Sequence, residues 1–238
     1  MSASHHRRAG VAAAAVVAGA AASWLPATAL VSGGARRLLG VRATVDADDA
    51  VALTFDDGPH PRGTPAVLEL LAAMSAPATF FLAGEQVERY PALAADIVAR
   101  GHEVGVHCQR HRNLMRLTPR QVRDDLVRAA DTIATATGAV PSYYRPPYGI
   151  LTTSALAHAR RRGWEVVLWR RDGADWDARA TPRSIADRLL SRVVPGDVLL
   201  LHDADHYSAP GSWKRTAAAL ELVRERLDRR GLRIAPLR

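Results

Sequence analysis

The sequence predicts an α/β fold in which seven β-strand and α-helix units form a closed or nearly closed barrel. Apolar, strand-like runs alternate with helical patterns along the chain, which indicates parallel strands with helices outside them. The first forty or so of the 238 residues look separate, so the remainder allows one domain of about two hundred residues. No G-x-G-x-x-G follows the first strand, which argues against an open dinucleotide-binding sheet.

The first predicted strand is the apolar run VALTF at residues 51–55, which ends on Asp56, Asp57 and a Gly-Pro turn. An apolar run bounded by turn residues is typical of a strand that is covered on both faces. A strand that ends in a solvated acidic turn is the alternative. Further strands are predicted at residues 78–83, 103–106, 142–145, 164–169, 198–202 and 232–235.

Helices are predicted between these strands from their start and stop residues. Thr64 and Thr118 each precede a proline, as expected for an N-cap residue followed by proline at the first helical position. Gly101 and Gly138 mark two helix ends. The predicted helices span residues 64–74, 90–100, 118–137, 152–162, 181–192 and 213–230.

The N-terminal residues 1–29 have the pattern of a signal peptide or an N-terminal membrane anchor. A positive start (HHRR) precedes a run of Ala, Val and Gly, and residues 27–29 (ATA) fit a small-x-small cleavage site. Cleavage is favoured because Ala is weakly apolar and Pro26 interrupts the run, while an uncleaved anchor is the alternative. Residues 30–47 are interpreted as a linker and residues 48–236 as a domain that works outside the cytoplasm.

The formal net charge of +8 comes almost entirely from arginine, since Lys214 is the single lysine. The basic residues are scattered over predicted helices instead of forming a stripe with aromatic residues, so no nucleic-acid partner is predicted. Attraction to an anionic wall polymer or a membrane surface is left open. Cys108 is the only cysteine, which excludes an internal disulfide and a zinc-thiolate site.

Five of the predicted strands lead into residues that can carry chemistry. These residues are Asp56 and Asp57, His107, Arg145, the segment 172–175, and His202. In a parallel α/β barrel the functional side chains come from the C-terminal ends of several strands. We therefore expect this set to converge on one face of the barrel.

His107 and His111 are four residues apart, a spacing that on a helical turn points both imidazoles to one side. Such a pair alone is more often two surface histidines, but the neighbouring Asp pair favours a His-His-Asp site for zinc or a similar divalent ion. One Asp can bind the metal while the other accepts a proton, and a nearby Arg145 would keep that base ionised. His202, oriented by a carboxylate such as Asp175, suits a general acid for amide hydrolysis.

In chain order, five segments resemble the motifs of the polysaccharide deacetylase family, also called carbohydrate esterase family 4 or the NodB-homology domain. They are TFDDGP at residues 54–59, His107-x-x-x-His111, RPPY at residues 145–148, Asp172-x-x-Asp175-Trp176, and LLH at residues 200–202. The resemblance covers residues 48–236 and implies a distorted (β/α)7 barrel as a single catalytic domain. It implies metal-dependent removal of acetyl groups, usually N-acetyl groups of chitin-like or peptidoglycan sugars.

The resemblance also implies a role for each matched residue. Asp56 would be the base positioned by Arg145, and His202 the acid tuned by Asp175. One divalent ion, expected to be Zn²⁺ with Co²⁺ or Ni²⁺ as alternatives, would be held by Asp57, His107 and His111. The oxyanion donor and the acetyl-methyl pocket would be formed by the backbone N–H of Tyr148 and by Trp176 and Leu200.

One position departs from the family pattern, because Cys108 follows the first metal histidine where Ser or Thr is usual. A hydroxyl would brace the metal loop, whereas a thiol is a weak hydrogen-bond donor, so we interpret Cys108 as a small buried apolar side chain. His202 and His206 also have metal-like spacing. A polar rim loop that includes Tyr207 is the favoured interpretation there.

Two other functions remain as alternatives. An O-acetyl esterase acting on acetylated xylan or wall polymer would use the same base and oxyanion site. A non-catalytic glycan-binding envelope protein would keep the barrel but would be free to lose Asp56, Asp57, Arg145 and the histidines. The glycan, the metal and the oligomeric state are left open by the sequence.

Overall fold

The computed structural model describes residues 33–237. The elements are α1 (Gly33–Leu38), β1 (Val41–Arg42), β2 (Ala50–Asp56), α2 (Gly63–Ala73), β3 (Thr79–Ala83), α3 (Gly84–Arg89), α4 (Pro91–Ala99), β4 (Glu103–Cys108), α5 (Pro119–Thr137), β5 (Tyr143–Tyr144), α6 (Thr153–Arg161), β6 (Glu165–Val167), β7 (Arg171–Asp172), α7 (Pro182–Leu190), β8 (Val198–His202), α8 (Ser212–Asp228) and β9 (Arg233–Ala235). Short 3₁₀ turns follow β4 and β5, at Leu114–Arg116 and Pro147–Gly149. Strands and helices alternate along most of this range, as predicted.

The strands form one curled sheet in the order β1-β6-β5-β4-β3-β2-β8-β7, with β9 paired to β2. The pairs between these strands are parallel. Asp56 at the end of β2 lies level with Phe81 of β3 and His202 of β8. At the other end of the sheet, an antiparallel bridge from Thr44 to Asp197 joins the segment after β1 to the start of β8. The predicted distorted barrel is confirmed as this curled parallel sheet.

The central strands are buried on both faces, which explains their continuous apolar sequences. All residues of β2 and β3 are buried. Outside the sheet, α2 contributes Leu68 and α5 contributes Leu126 to the main core, while Phe81 and Val167 pack in a second cluster. Complete burial of each such side chain stabilises the fold by about 1.5–3 kcal/mol. This packing holds the strand ends, and the polar residues on them, in fixed positions.

The predicted ends of the long helix α5 are confirmed. The Thr118 hydroxyl accepts a hydrogen bond from the Gln121 N–H at 3.3 Å, and the Gln121 side chain accepts one from the Thr118 N–H at 2.9 Å. This reciprocal pair is a capping box. Gly138 ends the helix in the left-handed conformation with φ +69°, which glycine adopts without a steric penalty.

The predicted N-cap role of Thr64 is wrong. Helix α2 begins at Gly63, and Arg62 occupies the N-cap position without a side-chain capping bond. The Thr64 hydroxyl instead accepts a hydrogen bond from the His60 N–H at 2.7 Å and donates one to the Asp203 carboxylate. The tertiary contact with Asp203 therefore replaces the local cap that the sequence pattern indicated.

Four short elements, α1, β1, α3 and β7, lie where no helix or strand was predicted. The reason is their length. The two strands have two residues each, too few for an alternating pattern, and the two helices have six residues each, too few for a helical repeat of apolar residues. β1 lies in the stretch 30–47 that was interpreted as a linker, but Val41 pairs with Val166, and Ala43 and Val45 are buried. The folded part of the chain therefore includes these residues.

The predicted signal peptide or anchor, residues 1–29, lies outside the described residues. Within residues 33–237, no helix combines the length and the apolar character needed to cross a membrane.

Candidate active site

A pocket of about 430 Å³ opens where the C-terminal ends of β2, β4 and β8 meet. Loops that follow β5, β6, β7 and β8 complete its walls. The lining residues are Asp56, Asp57, His107, His111, Tyr148, Trp169, Trp176, Leu200, His202, Tyr207 and Ser208. The other two predicted site residues, Arg145 and Asp175, are fully buried behind this wall. The structure thus brings all ten predicted site residues together.

Arg145 is a buried arginine whose hydrogen bonds fix Asp56. Its Nη1 donates to Asp56 Oδ1 and to Thr54 Oγ1, both at 2.8 Å, and its Nε donates to the Val167 carbonyl at 3.0 Å. The guanidinium lies 4.0 Å from the centroid of the Phe81 ring. Burial lowers the pKa of Arg145 and the Asp56 charge opposes this, but arginine remains charged in proteins. Asp56 is therefore the counter-ion of a buried cation.

Asp57, His107 and His111 form a cluster in which one ligand atom of each lies within 4.8 Å of the others. Asp57 Oδ1 is 3.4 Å from His107 Nε2 and 3.5 Å from His111 Nε2. His107 Nδ1 lies 2.8 Å from the Arg145 carbonyl. A proton on Nδ1 makes that hydrogen bond, which leaves Nε2 free to act as a ligand.

The two histidines do not share a helical turn, so that prediction is wrong. His107 is extended within β4, where the neighbouring Val106 pairs with Tyr144 of β5, and His111 lies in the loop that follows. The rings still approach each other, with centroids 5.2 Å apart. The strand ladder fixes the first histidine, and the loop turns back to bring the second beside it.

The electrostatics of the cluster fit a divalent metal ion. Burial alone would raise the pKa of Asp57, but contact with His107 and the charge of His202 lower it to about 2. Burial lowers the pKa of His111 to about 4, so its imidazole is neutral at pH 7. Asp57 Oδ1 is buried without a hydrogen-bond partner. An unsatisfied carboxylate oxygen beside two imidazole nitrogens is a donor set that suits zinc and similar ions.

His202 ends β8 and is held by the buried carboxylate of Asp175. Its Nδ1 donates to Asp175 Oδ1 at 3.0 Å, and its backbone N–H donates to Asp175 Oδ2 at 2.7 Å. The Thr216 hydroxyl also donates to Oδ2 at 2.7 Å. Burial alone would lower the pKa of His202, but Asp175, Asp57 and Asp56 raise it to about 10. The imidazole is therefore protonated at neutral pH, and its Nε2, 3.9 Å from Asp57 Oδ2, can donate a proton.

Tyr148, Trp176 and Leu200 complete the predicted pocket. Tyr148 has φ +57° and Asp57 has φ +78°, left-handed conformations that are costly for residues other than glycine and that cluster at functional sites. Trp176 is partly exposed and meets the ring of His202 edge-on at 5.5 Å. Leu200 is buried in the pocket wall. Apolar surface next to the charged groups leaves room for a small methyl group.

The loop that carries His111 is anchored by Asp125 of helix α5. Asp125 Oδ2 accepts a hydrogen bond from the Gln109 N–H at 2.7 Å, and Oδ1 accepts one from Arg112 Nη2 at 2.6 Å. Cys108 is a fully buried free thiol, as predicted, and burial raises its pKa well above the usual value. A carboxylate on a neighbouring helix therefore braces the loop where the thiol does not.

Two further residues considered from the sequence, Asp172 and His206, neither line the pocket nor support it from behind. Asp172 accepts a hydrogen bond from Arg188 Nε at 2.8 Å and thereby joins β7 to helix α7. His206 Nε2 lies 3.3 Å from the Pro59 carbonyl. Between residues 33 and 237, the one group with metal-binding geometry consists of Asp57, His107 and His111. The spacing of His202 and His206 is thus not accompanied by a second cluster.

Three lining residues were not predicted as site residues. They are Trp169, Tyr207 and Ser208. Trp169 follows β6, and its ring centroid is 5.7 Å from the Arg145 guanidinium. Tyr207 and Ser208 belong to the loop after β8, which was predicted only as a polar rim. Only their position after a predicted strand could have indicated that these residues line the site. No pattern of residue types in the sequence distinguishes them.

Comparison with known proteins indicates the same family that the sequence motifs resemble. A family model described as polysaccharide deacetylase matches residues 44–167. A chitooligosaccharide deacetylase from Bradyrhizobium sp. (strain ANU 289) is 40% identical over 195 residues, which cover 79% of this chain and 89% of that protein.

Two solved structures show the same fold. A crystal structure of a peptidoglycan N-acetylglucosamine deacetylase in complex with an N-oxidanyl-benzamide has a TM-score of 0.79 at 28% identity and covers 87% of this chain and 94% of that one. A CE4 family pseudoenzyme from Bacillus anthracis has a TM-score of 0.72 at 27% identity and covers 80% of this chain and 64% of that one. A similar fold is thus also found in a pseudoenzyme, so the fold alone does not show activity. The function has to be inferred from the residues of the site.

Proposed function

The chain belongs to the polysaccharide deacetylase family, and we propose that it hydrolyses N-acetyl groups from an N-acetylglucosamine-containing polysaccharide, either a chitin-like oligomer or peptidoglycan. One observation carries this proposal. The pocket is lined by Asp56, whose carboxylate is paired with the buried Arg145, and by His202, whose imidazole is protonated. The same pocket contains the candidate metal site formed by Asp57, His107 and His111. A base and an acid in one pocket suit an amide, because its amine leaves only after protonation.

The metal ion would be held by Asp57, His107 and His111, and we propose zinc, with cobalt or nickel as alternatives. When bound, such an ion supplies Lewis acidity, which polarises a carbonyl and lowers the pKa of water. The His107 hydrogen bond to the Arg145 carbonyl keeps that ligand in the required tautomer.

The remaining chemistry belongs to groups of the chain. Asp56 takes the proton of the water that adds to the acetyl carbonyl carbon, and its ion pair with Arg145 favours the carboxylate form. The Tyr148 backbone N–H, which has no acceptor in the described part of the chain, donates to the oxygen that becomes negative. His202 Nε2 gives its proton to the amide nitrogen as the C–N bond breaks. Acetate and a free amine result, and Trp176 with Leu200 receives the acetyl methyl.

Acetate release is expected to be lost after chelation and to return with Zn²⁺ or Co²⁺. The measurement is acetate released from N-acetylglucosamine oligomers and from peptidoglycan, by protein that is chelated, dialysed and reloaded. Asp57→Ala is the matched variant, because it removes a carboxylate from the metal-type cluster. Reloading should restore the wild-type protein and leave this variant inactive.

Activity that survives exhaustive chelation would contradict the proposal. If neither glycan releases acetate although metal is bound, an acetylated xylan should be tested next, which examines the esterase alternative. Binding of a glycan that is unaffected by Asp57→Ala, without acetate from any polymer, would favour the non-catalytic alternative. The ratio of rates on the two N-acetylated glycans identifies the preferred substrate.

We further propose that the enzyme works outside the cytoplasm, secreted or in the cell envelope, because residues 1–29 have the signal or anchor pattern. Expression in a bacterial host followed by fractionation and N-terminal sequencing tests this. A chain that begins near residue 30 in the medium supports cleavage, and an intact chain in the membrane pellet supports an anchor. An intact chain that stays in the cytoplasm would contradict both.

A further inference from the structure

We propose that Tyr207 is a positioning residue that holds the His111 imidazole in the orientation in which it binds the metal ion. The inference rests on the metal site of the proposed function. Tyr207 lies in the loop between β8 and α8, outside the sequence segments that indicated the function, and it lines the pocket. Three sets of contacts lead to this role.

The two histidines of the candidate metal site, His107 and His111, are held in different ways. The His107 ring is fixed by the hydrogen bond from its Nδ1 to the Arg145 carbonyl at 2.8 Å. His111 Nδ1, in contrast, is buried without a hydrogen-bond partner. Metal-binding histidines usually donate their second nitrogen to an acceptor that sets the ring orientation. His111 therefore needs another kind of support.

Aromatic contacts provide that support. The Tyr207 ring is stacked on the His111 ring, with centroids 4.5 Å apart and planes 12° from parallel. The ring of Tyr148 meets His111 edge-on, also at 4.5 Å. Tyr148 is more than half exposed, whereas Tyr207 is partly buried. Tyr207 is thus the better-enclosed of the two supports, and its ring restricts rotation of the imidazole.

Tyr207 is itself anchored at its hydroxyl. The hydroxyl donates to Glu85 Oε1 at 2.6 Å and accepts a hydrogen bond from Gln86 Nε2 at 3.1 Å. The backbone N–H of Glu85 donates to the Gln109 carbonyl at 2.9 Å, within the loop that carries His111. Helix α3 therefore joins the tyrosine and the metal loop at one point. Glu85 therefore fixes the position of the Tyr207 side chain relative to the loop that carries His111.

Three substitutions separate the contributions of Tyr207. Tyr207→Ala removes the ring, Tyr207→Leu fills much of the space without an aromatic face, and Tyr207→Phe keeps the face and loses the hydroxyl anchor. The dissociation constant for Zn²⁺ is measured by competition with a chromophoric chelator, and the visible absorption of the Co²⁺-loaded protein reports the ligand set. Trp176→Leu is the matched control, because Trp176 lines the same pocket but contacts His202 instead of His111.

The Ala and Leu variants are expected to bind Zn²⁺ about 10- to 100-fold more weakly than wild type and to have altered Co²⁺ absorption. The Phe variant is expected to stay closer than the Leu variant to the wild-type dissociation constant and spectrum. The Trp176→Leu control is expected to keep the wild-type dissociation constant for Zn²⁺ and the wild-type Co²⁺ absorption. Circular dichroism of each metal-free protein confirms folding, and if Ala does not fold, the comparison of Leu with Phe decides.

A folded Ala or Leu variant with the wild-type dissociation constant and spectrum would overturn the inference, even if its KM for glycan were raised. An equal loss in the control would overturn it as well, since the effect would then not pass through His111. Failure of the proposed function gives a different result. In that case wild-type protein would not bind Zn²⁺, or binding would be unaffected by Asp57→Ala.

Discussion

Replacement of Asp56 by Asn is expected to lower kcat for acetate release by about 10²- to 10⁴-fold, the usual contribution of a general base. The loss corresponds to about 2.7–5.4 kcal/mol of transition-state stabilisation at about 1.36 kcal/mol per tenfold change in rate. Asn has nearly the same shape and keeps an oxygen for Arg145 Nη1, which donates to Asp56 Oδ1 at 2.8 Å. What Asn lacks is the ability to take a proton from water at neutral pH. The measurement is kcat on N-acetylglucosamine oligomers at saturating substrate.

The control for this variant has to disturb Arg145 without touching the proton acceptor. Thr54→Val does so, because the buried Thr54 hydroxyl accepts a hydrogen bond from the same Nη1 at 2.8 Å and lies outside the pocket wall. This variant should lose stability by about 1–3 kcal/mol, the cost of an unsatisfied buried group, and should lose less than about tenfold in kcat. Asp56→Asn that remained within tenfold of wild type at equal zinc content would exclude Asp56 as the base.

Much of the site could be predicted because parallel strands bring their C-terminal ends to one edge. Asp56, His107, Arg145 and His202 each lie at or directly after the end of an apolar run, and all contribute to the pocket or its support. The distances between these residues could not be predicted from the sequence. Asp56 lies level with His202 because β2 pairs with β8, a neighbour relation that depends on how the whole chain winds.

Other parts of the site depend on contacts between segments that are distant in sequence. Tyr207 donates to Glu85, 122 residues away, and Asp125 accepts from Gln109, 16 residues away. No local spacing marks such pairs. The His111 error has the same origin, since a separation of four residues is shared by helical turns and by loops that fold back after a strand. The resemblance to a known family placed His111 among the metal ligands, but it did not indicate what supports the ring.

Replacement of His202 by Ala is expected to separate amide from ester substrates. On an N-acetylated glycan oligomer, kcat should fall by about 10²- to 10⁴-fold, because the amine leaves only after it receives a proton. On 4-nitrophenyl acetate the loss should stay below about tenfold, since a phenolate leaves without protonation. The comparison uses the same metal-loaded preparation for both substrates. It shows whether His202 acts by protonating the amine as it leaves.

His206→Ala is the matched control, because His206 lies four residues further on, in the loop that follows β8. Its Nε2 is 3.3 Å from the Pro59 carbonyl, and it lies outside the pocket wall. This variant should keep wild-type kcat on both substrates. An equal loss of amide and ester hydrolysis in His202→Ala would show that His202 acts before the amine leaves. A wild-type preference for the ester, together with negligible amide cleavage, would favour the esterase.

The pH dependence of kcat tests how His202 is tuned. A general acid works in its protonated form, so activity is lost as the pH rises through the pKa of His202. Asp175 is the main group that raises this pKa against the effect of burial. Asp175→Asn removes that charge and should move the alkaline limb of the profile to lower pH, with a smaller change on the acid side.

Thr216→Val removes a hydrogen bond to the same carboxylate and keeps its charge, so its alkaline limb should stay near that of wild type. If both variants shift the limb equally, the charge of Asp175 is not what keeps His202 protonated.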